Sequence, residues 1–225
     1  MHDVVEKVLV SEEDIVKRSM ELGKQISDDY RKTGKAPLLV ALLKGSVPFL
    51  AELIKHIDLD IQFDFMDVSS YEGTESIGDI KIVKDLDCSV KGVPILLVED
   101  IVDTGRTLKE VTRLLKNKGA SDVKVVSLLD KPDRRVVDIT ADYVGFEIPN
   151  EFVVGFGLDY DKHYRNLPDQ QIAVWIFFYG IYSPLISLLK AFLRKHFVHF
   201  VDHLFDFKVS QIFAKRQQGI KGNMQ

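Results

Sequence analysis

Cysteine is almost absent from this chain of 225 residues, with Cys88 as its single thiol. One thiol excludes an intrachain disulfide and points to a reducing compartment. A basic excess is also missing: the formal net charge is −4, so the chain as a whole carries no nucleic-acid footprint. The opening stretch MHDVVEKVLVSEED has neither a basic n-region nor an apolar h-region, and we do not read it as a secretory leader. Internal repeats and low-complexity segments are lacking too. What is present is 46% hydrophobic residues, ample for a core, in a length that suits one large domain or one domain with an extension.

Short apolar runs alternate with helical spacings along most of the chain. Ser11 followed by Glu12, Glu13 and Asp14 predicts a capped helix with an acidic first turn, carrying Ile15, Met20 and Leu22 on its apolar stripe and stopping at Gly34. The run PLLVALL over 37–43 predicts a strand buried on both faces. A turn, Lys44-Gly45-Ser46, leads to helical spacing over 47–57. Leu59, Ile61, Phe63 and Phe65 alternate with Asp60, Gln62 and Asp64, the pattern of a half-buried strand with its acids outward. Residues 69–79 are polar with two glycines and read as a loop, and a strand follows over 80–83.

Further strands are predicted at ILLV over 95–98 after Pro94, at 123–129, at 143–146 and at 152–155, with a helix over 107–118 stopped by Gly119. This alternation predicts an α/β fold with a mostly parallel sheet flanked by helices. The last part of the chain differs. Residues 171–225 carry seven Lys/Arg against two Asp/Glu, and eleven of the 22 aromatic residues. The shift falls near Pro168-Asp169-Gln170 and divides the chain into 1–170 and 171–225.

The densest chemistry lies in VEDIVDTGRTL over 98–108. Glu99 and Asp100 follow an apolar strand, and Thr104-Gly105-Arg106-Thr107 opens the next helix. In open α/β sheets, sites lie beyond the carboxyl ends of strands. Free N–H groups and the positive end of a helix make an anion cradle, Gly105 permits close approach, and threonine hydroxyls add donors. A neighbouring carboxylate pair can accept bonds from sugar hydroxyls or hold hydrated Mg²⁺. A sugar phosphate spanning both features satisfies the whole motif.

VEDIVDTGRTL resembles the phosphoribosyl-diphosphate-binding signature of type I phosphoribosyltransferases. LLKGS (42–46), SSY (69–71), SLLDKP (127–132), VGFEIPNEFVVGFGLDY (144–160) and HYRNLP (163–168) resemble the hypoxanthine-guanine branch in particular. The resemblance covers essentially residues 1–170. It implies the corresponding fold with a small base-binding hood, and transfer of a 5-phosphoribosyl group from its diphosphate to N9 of hypoxanthine or guanine. The products would be IMP or GMP with pyrophosphate. Two alternatives stay open: a transferase preferring xanthine or guanine, and a regulator that binds the phosphoribosyl ligand without turnover.

Residue by residue, the resemblance implies Asp103 as the acid near purine N7, and Glu99 and Asp100 as the pair meeting the ribose hydroxyls directly or through Mg²⁺. It implies Thr104, Gly105, Arg106 and Thr107 as the 5′-phosphate loop. Lys44 and Gly45 match a pyrophosphate loop that in the family often carries a non-proline cis peptide before the lysine, and Arg165 matches an arginine on pyrophosphate. Lys131 matches the donor to the purine 6-oxo group, which disfavours 6-aminopurines. Phe152 matches the aromatic stacked on the base, Val153 its backbone partner, and Asp159 an acid near the second metal and the purine 2-position. Ser70 and Tyr71 match the catalytic lid, which keeps an oxocarbenium-like sugar from water.

The resemblance also implies a cytoplasmic, Mg²⁺-dependent homodimer or homotetramer. His163 is given no catalytic role. His196, His199 and His203 alternate with Phe197, Phe200 and Leu204, a helix face more than a metal site. Family members end soon after a strand near 172–176, whereas this chain runs on for about fifty residues. The uncharged stretch 170–189, interrupted by Gly180 and Pro184, approaches membrane-spanning length. Three readings of the tail follow: a packed strand and amphipathic helix, a sequence altered at its 3′ end, or a membrane-associated segment, the last ranked below the other two.

Overall fold

The computed structural model describes residues 7–70 and 80–173, all within one compact unit, Met1–Val174. Tyr71 and the tail beyond residue 173 lie outside the described residues, as do the histidine face and the three readings of that tail.

Among the described residues nine strands and three α-helices alternate: β1 (Lys7–Val10), α1 (Glu12–Thr33), β2 (Leu38–Leu42), α2 (Val47–Leu53), β3 (Gln62–Ser70), β4 (Ile80–Lys84), β5 (Pro94–Val102), α3 (Arg106–Asn117), β6 (Asp122–Asp130), β7 (Tyr143–Glu147), β8 (Val153–Val154) and β9 (Gln170–Ile172). The main sheet has the order β4-β3-β2-β5-β6-β7. It is parallel except for β4, which runs antiparallel to β3 at the edge. A second, antiparallel sheet, β1-β9-β8, forms the hood.

The ends of α1 follow from its sequence. Ser11 Oγ accepts from Asp14 N–H at 3.2 Å, three acids occupy the first turn, Arg31 and Lys32 the last, and Gly34 caps it at φ 71°. Ile15, Leu22, Ile26 and Tyr30 are its buried line. Met20, expected on that stripe, is 53% exposed, because it lies off the i, i+4, i+7 row these residues define.

All five residues of β2 are buried, as the unbroken apolar run predicts. Leu39 and Ala41 join the core beneath α1 and α2, while Leu38, Val40 and Leu42 join the core beneath α3. The sheet is therefore sandwiched between two apolar layers, and its strand ends are left to carry chemistry.

The structure departs from the sequence reading on β3. Phe63 is 50% exposed and Asp64 is buried, the reverse of the expected facing. Asp64 Oδ2 accepts from Asp87 N–H at 2.8 Å, Oδ1 accepts from Phe65 N–H at 2.7 Å, and Lys84 Nζ lies 3.3 Å from Oδ1. Those bonds satisfy the buried carboxylate and hold its titration below the usual aspartate value despite burial. Ser69 and Ser70 also end β3, paired with Lys81 and Ile80, where a loop was expected. The closing strand β9 begins at Gln170, two residues before the expected position.

Candidate active site

The parallel strands β2, β3, β5 and β6 all point their carboxyl ends to one side, where the loops gather. At the end of β5 the sequence reading needs a correction. The strand does not stop at Val98 but runs to Val102, with Glu99 paired to Ser127 and Val102 to Asp130. Glu99 and Asp100 therefore belong to the strand itself, fixed by its ladder.

Glu99 is buried, and among the described residues no hydrogen bond or ion pair holds its carboxylate. Burial first, and the charge of Asp100 second, raise its titration well above the ordinary glutamate value. Burial likewise raises Asp100 to about 6, against the pull of the Ile101 N–H and of Arg165, while Asp159 adds to the rise. Glu99, buried and without a bonded partner among the described residues, and the half-buried Asp100 beside it form an under-compensated acid pair. A divalent cation with oxygen preference fits that donor set, with Glu99 and Asp100 as the residues that would hold it. Among the described residues no cluster of three or more metal-ligating side chains is pre-assembled.

The loop after β2 comes up against this pair. The Leu43–Lys44 peptide is cis, and Leu43 N–H donates to Met66 O at 2.8 Å. Lys44 is exposed and Gly45 is buried. A Cβ on Gly45 would sit 1.5 Å from Asp100 Oδ2, so only glycine lets this backbone approach the carboxylate.

Beyond Val102 the chain turns through Asp103 and Thr104 to Gly105, the cap position of α3 at φ 81°. A Cβ there would meet Ile139 Cγ2 at 2.6 Å and Arg135 Cδ at 2.9 Å. No side chain caps α3. Its first-turn N–H groups, which an α-helix cannot satisfy internally, open beside exposed Arg106 and Thr107 as an anion cradle.

Lys131 follows β6, and its N–H donates to Val102 O at 3.0 Å, which sets it beside Asp103. It is 6% exposed, not the surface lysine its position before Pro132 suggests, and no hydrogen bond or ion pair occupies its ammonium among the described residues. Burial lowers its titration and nearby Arg134 adds to this, while Asp103 and Glu151 oppose both. A buried, unpaired ammonium is poised to receive an acceptor.

Asp103 Oδ1 lies 2.7 Å from Arg134 Nε but without hydrogen-bond alignment, so this buried oxygen still lacks a donor. Arg135 donates to Asp103 O through Nη1 and pairs with Asp130 through Nη2. Arg134 and Arg135 escaped the sequence reading. The signal available was two adjacent arginines three residues past Lys131, facing an acidic turn.

The hood loop supplies the remaining residues. Val153 is buried in β8, and Phe152, just before it, meets Tyr160 edge to face with ring centroids 6.0 Å apart. Asp159 Oδ1 pairs with Arg165 Nη2 at 2.7 Å, and its Oδ2 accepts from Lys162 N–H at 2.7 Å. Arg165 Nη1 donates to Gly157 O at 2.6 Å. Both oxygens of Asp159 are thus committed to the protein, whereas Glu99 has none committed. His163 closes a tight turn by backbone bonds to Tyr160, and Ser70 ends β3 on the same side of the sheet as the ends of β2 and β5.

A carboxylate pair, an uncapped helix start and an acid–lysine couple thus gather at the ends of parallel strands. The chain belongs to the phosphoribosyl transferase domain family, which matches residues 8–161, and within it to the hypoxanthine-guanine phosphoribosyltransferases. It is 61% identical to the hypoxanthine-guanine phosphoribosyltransferase of Lactococcus lactis subsp. lactis over 165 residues, which is 73% of this chain and 88% of the relative. Identity to the Streptococcus thermophilus protein of that name is 58%, over 73% of this chain and 91% of the relative. Among solved structures, the hypoxanthine phosphoribosyltransferase of Staphylococcus aureus superposes with a TM-score of 0.74 at 49% identity, covering 79% of this chain and 96% of that one. That of Trypanosoma cruzi gives 0.76 at 36% identity, covering 81% and 98%.

Proposed function

We propose that the chain transfers the 5-phosphoribosyl group of phosphoribosyl diphosphate to N9 of hypoxanthine or guanine, releasing pyrophosphate and giving IMP or GMP for purine salvage. The observation that carries this reading is the meeting of Lys131 and Asp103 at the end of β5, between an uncapped helix start and an under-compensated acid pair. The names of the relatives support it.

In this reading the backbone of 104–107 grips the 5′-phosphate, and the side chains of Thr104 and Thr107 add donors. Arg106 contributes charge. Glu99 and Asp100 face the ribose hydroxyls and hold Mg²⁺, which neutralises the departing pyrophosphate when bound. Lys44, Gly45 and Arg165 receive that pyrophosphate. Lys131 donates to the 6-oxo group, and a 6-amino group in its place would leave the ammonium unpaired. Phe152 stacks on the base, the backbone of Val153 contacts it, and Asp159 lies toward the 2-position. Asp103 accepts the proton that the base sheds as N9 bonds to C1′ and the C1′–O bond to pyrophosphate breaks. Negative charge from the carboxylates stabilises the oxocarbenium-like sugar between the two events. Ser70 and Tyr71 close over it.

We further propose a cytosolic homodimer or homotetramer. The single cysteine supports the compartment, and the apolar Phe63 and Val83 left exposed on β3 and β4 support assembly. Purified protein with phosphoribosyl diphosphate, Mg²⁺ and each of hypoxanthine, guanine, xanthine and adenine tests the reading. IMP and GMP should form, with little AMP. Ligand binding without nucleotide from any base would replace the transferase by a regulator.

A further inference from the structure

Asp103 is held by two arginines in different ways. Arg135 binds its backbone carbonyl and is anchored by Asp130, so it fixes the turn. Arg134 reaches the carboxylate itself, with Nε 2.7 Å from Oδ1. The same guanidinium donates through Nη1 to Asn150 Oδ1 at 3.4 Å. Asn150 lies two residues before Phe152, on the loop that leads into the hood. Arg134 therefore bridges the acid at the end of β5 to the segment carrying the aromatic ring.

The burial of the partners gives this bridge a particular role. The side chains of Arg134 and Asp103 are 42% and 41% exposed, and an ion pair so wet contributes little to folding. A base seated between Lys131, Asp103 and Phe152 would exclude water there, and in that drier site the same pair strengthens. The planar fork of arginine can hold one carboxylate oxygen while a second nitrogen keeps the hood loop, which a lysine ammonium cannot do in the same geometry. Oδ1, the oxygen Arg134 faces, is buried, which leaves Oδ2 as the exposed oxygen to meet the purine.

We infer that Arg134 is a positioning residue that orients the Asp103 carboxylate toward the purine and docks the Asn150–Phe152 segment beside it. This rests on the assignment of Asp103 to the base in the proposed transferase reaction. Arg134 touches no reacting atom in this scheme and acts through Asp103.

A double-mutant cycle tests it with full-length protein, using Arg134→Gln, Arg134→Lys, Asp103→Asn and the Gln/Asn double variant. Two readouts are taken: turnover of hypoxanthine at saturating phosphoribosyl diphosphate and Mg²⁺, and IMP affinity by calorimetry. Arg134→Gln should lower kcat about 10- to 100-fold, as misplacement of a catalytic group does. It should weaken IMP about fivefold and leave affinity for phosphoribosyl diphosphate within about twofold. Arg134→Lys should recover part of the loss.

In the Asp103→Asn background the Gln substitution should cost less than about threefold. Equal losses in both backgrounds, or wild-type kcat in Arg134→Gln, would overturn the inference alone. A wild-type protein that binds IMP with the same non-additivity yet forms no nucleotide would overturn the transferase reading and leave Arg134 as assigned. Arg134 is exposed, so its variants should fold. Asn150→Ala is a second probe, expected to show a smaller loss of the same kind, and unchanged kcat there would remove the docking half of the inference.

Discussion

Replacing Asp100 by asparagine should stabilise the ligand-free protein while weakening its function. Burial raises the titration of Asp100 from the ordinary 3.8 to about 6. The folded protein therefore binds more protons than the unfolded chain between those two values, and stability falls as pH rises through that window. The rise of about two units corresponds to a ceiling of about 3 kcal/mol lost above pH 6, at about 1.4 kcal/mol per unit. Asparagine keeps an oxygen for the Ile101 N–H, which Asp100 Oδ1 accepts at 2.8 Å, and removes the charge. For a domain of this size each kcal/mol moves Tm by about 2–4 °C, so the variant should melt about 6–12 °C higher at pH 7.5 without divalent cations. At pH 5 the wild-type carboxyl is already protonated in the folded state, and the gain should shrink to about half. Scanning calorimetry at the two pH values, with circular dichroism to verify the fold, measures both. A variant that melts lower at pH 7.5, or gains equally at both pH values, refutes the claim that this carboxylate is held at a cost for later use by a cation or sugar.

Gly45→Ala should disturb the site without unfolding the sheet, because its Cβ falls 1.5 Å from Asp100 Oδ2. Affinity for phosphoribosyl diphosphate should drop about tenfold or more, since a misplaced loop forfeits oriented contacts, and calorimetric titration reading wild-type affinity would contradict this. Lys131→Met removes a buried ammonium without a partner, so Tm should hold or rise, while kcat/KM for hypoxanthine should fall about 100-fold or more because the 6-oxo group loses its donor. A lower Tm with activity retained would mark Lys131 as structural.

The sequence makes the parallel core legible because burial on both faces writes itself as unbroken apolar runs, as in β2, β5 and β6. Capping is equally readable in Ser11 and Gly34, where local chemistry decides. Alternation fails on β3, since Asp64 finds three partners inside and Phe63 stays out, a choice made largely by Lys84 and Asp87, 20 and 23 positions away. The end of β5 is hidden for a related reason: Glu99 and Asp100 look like loop residues, yet β5 runs on beside β6 through both, and Glu99 finds no partner for its carboxylate among the described residues. The acids and the helix start of the candidate site are legible as types and spacings, whereas Lys44 and Lys131 stand out only through the family resemblance. Arg134 is not, because its role depends on a turn that folds it back over Asp103 and toward Asn150.

A crystal structure of the protein with IMP tests the central claim most directly. We predict the 5′-phosphate on the N–H groups at the start of α3 over 104–107, the ribose hydroxyls facing Glu99 and Asp100, and the 6-oxo group on Lys131. A phosphate bound elsewhere, or a nucleotide that leaves the end of β5 vacant, would contradict it.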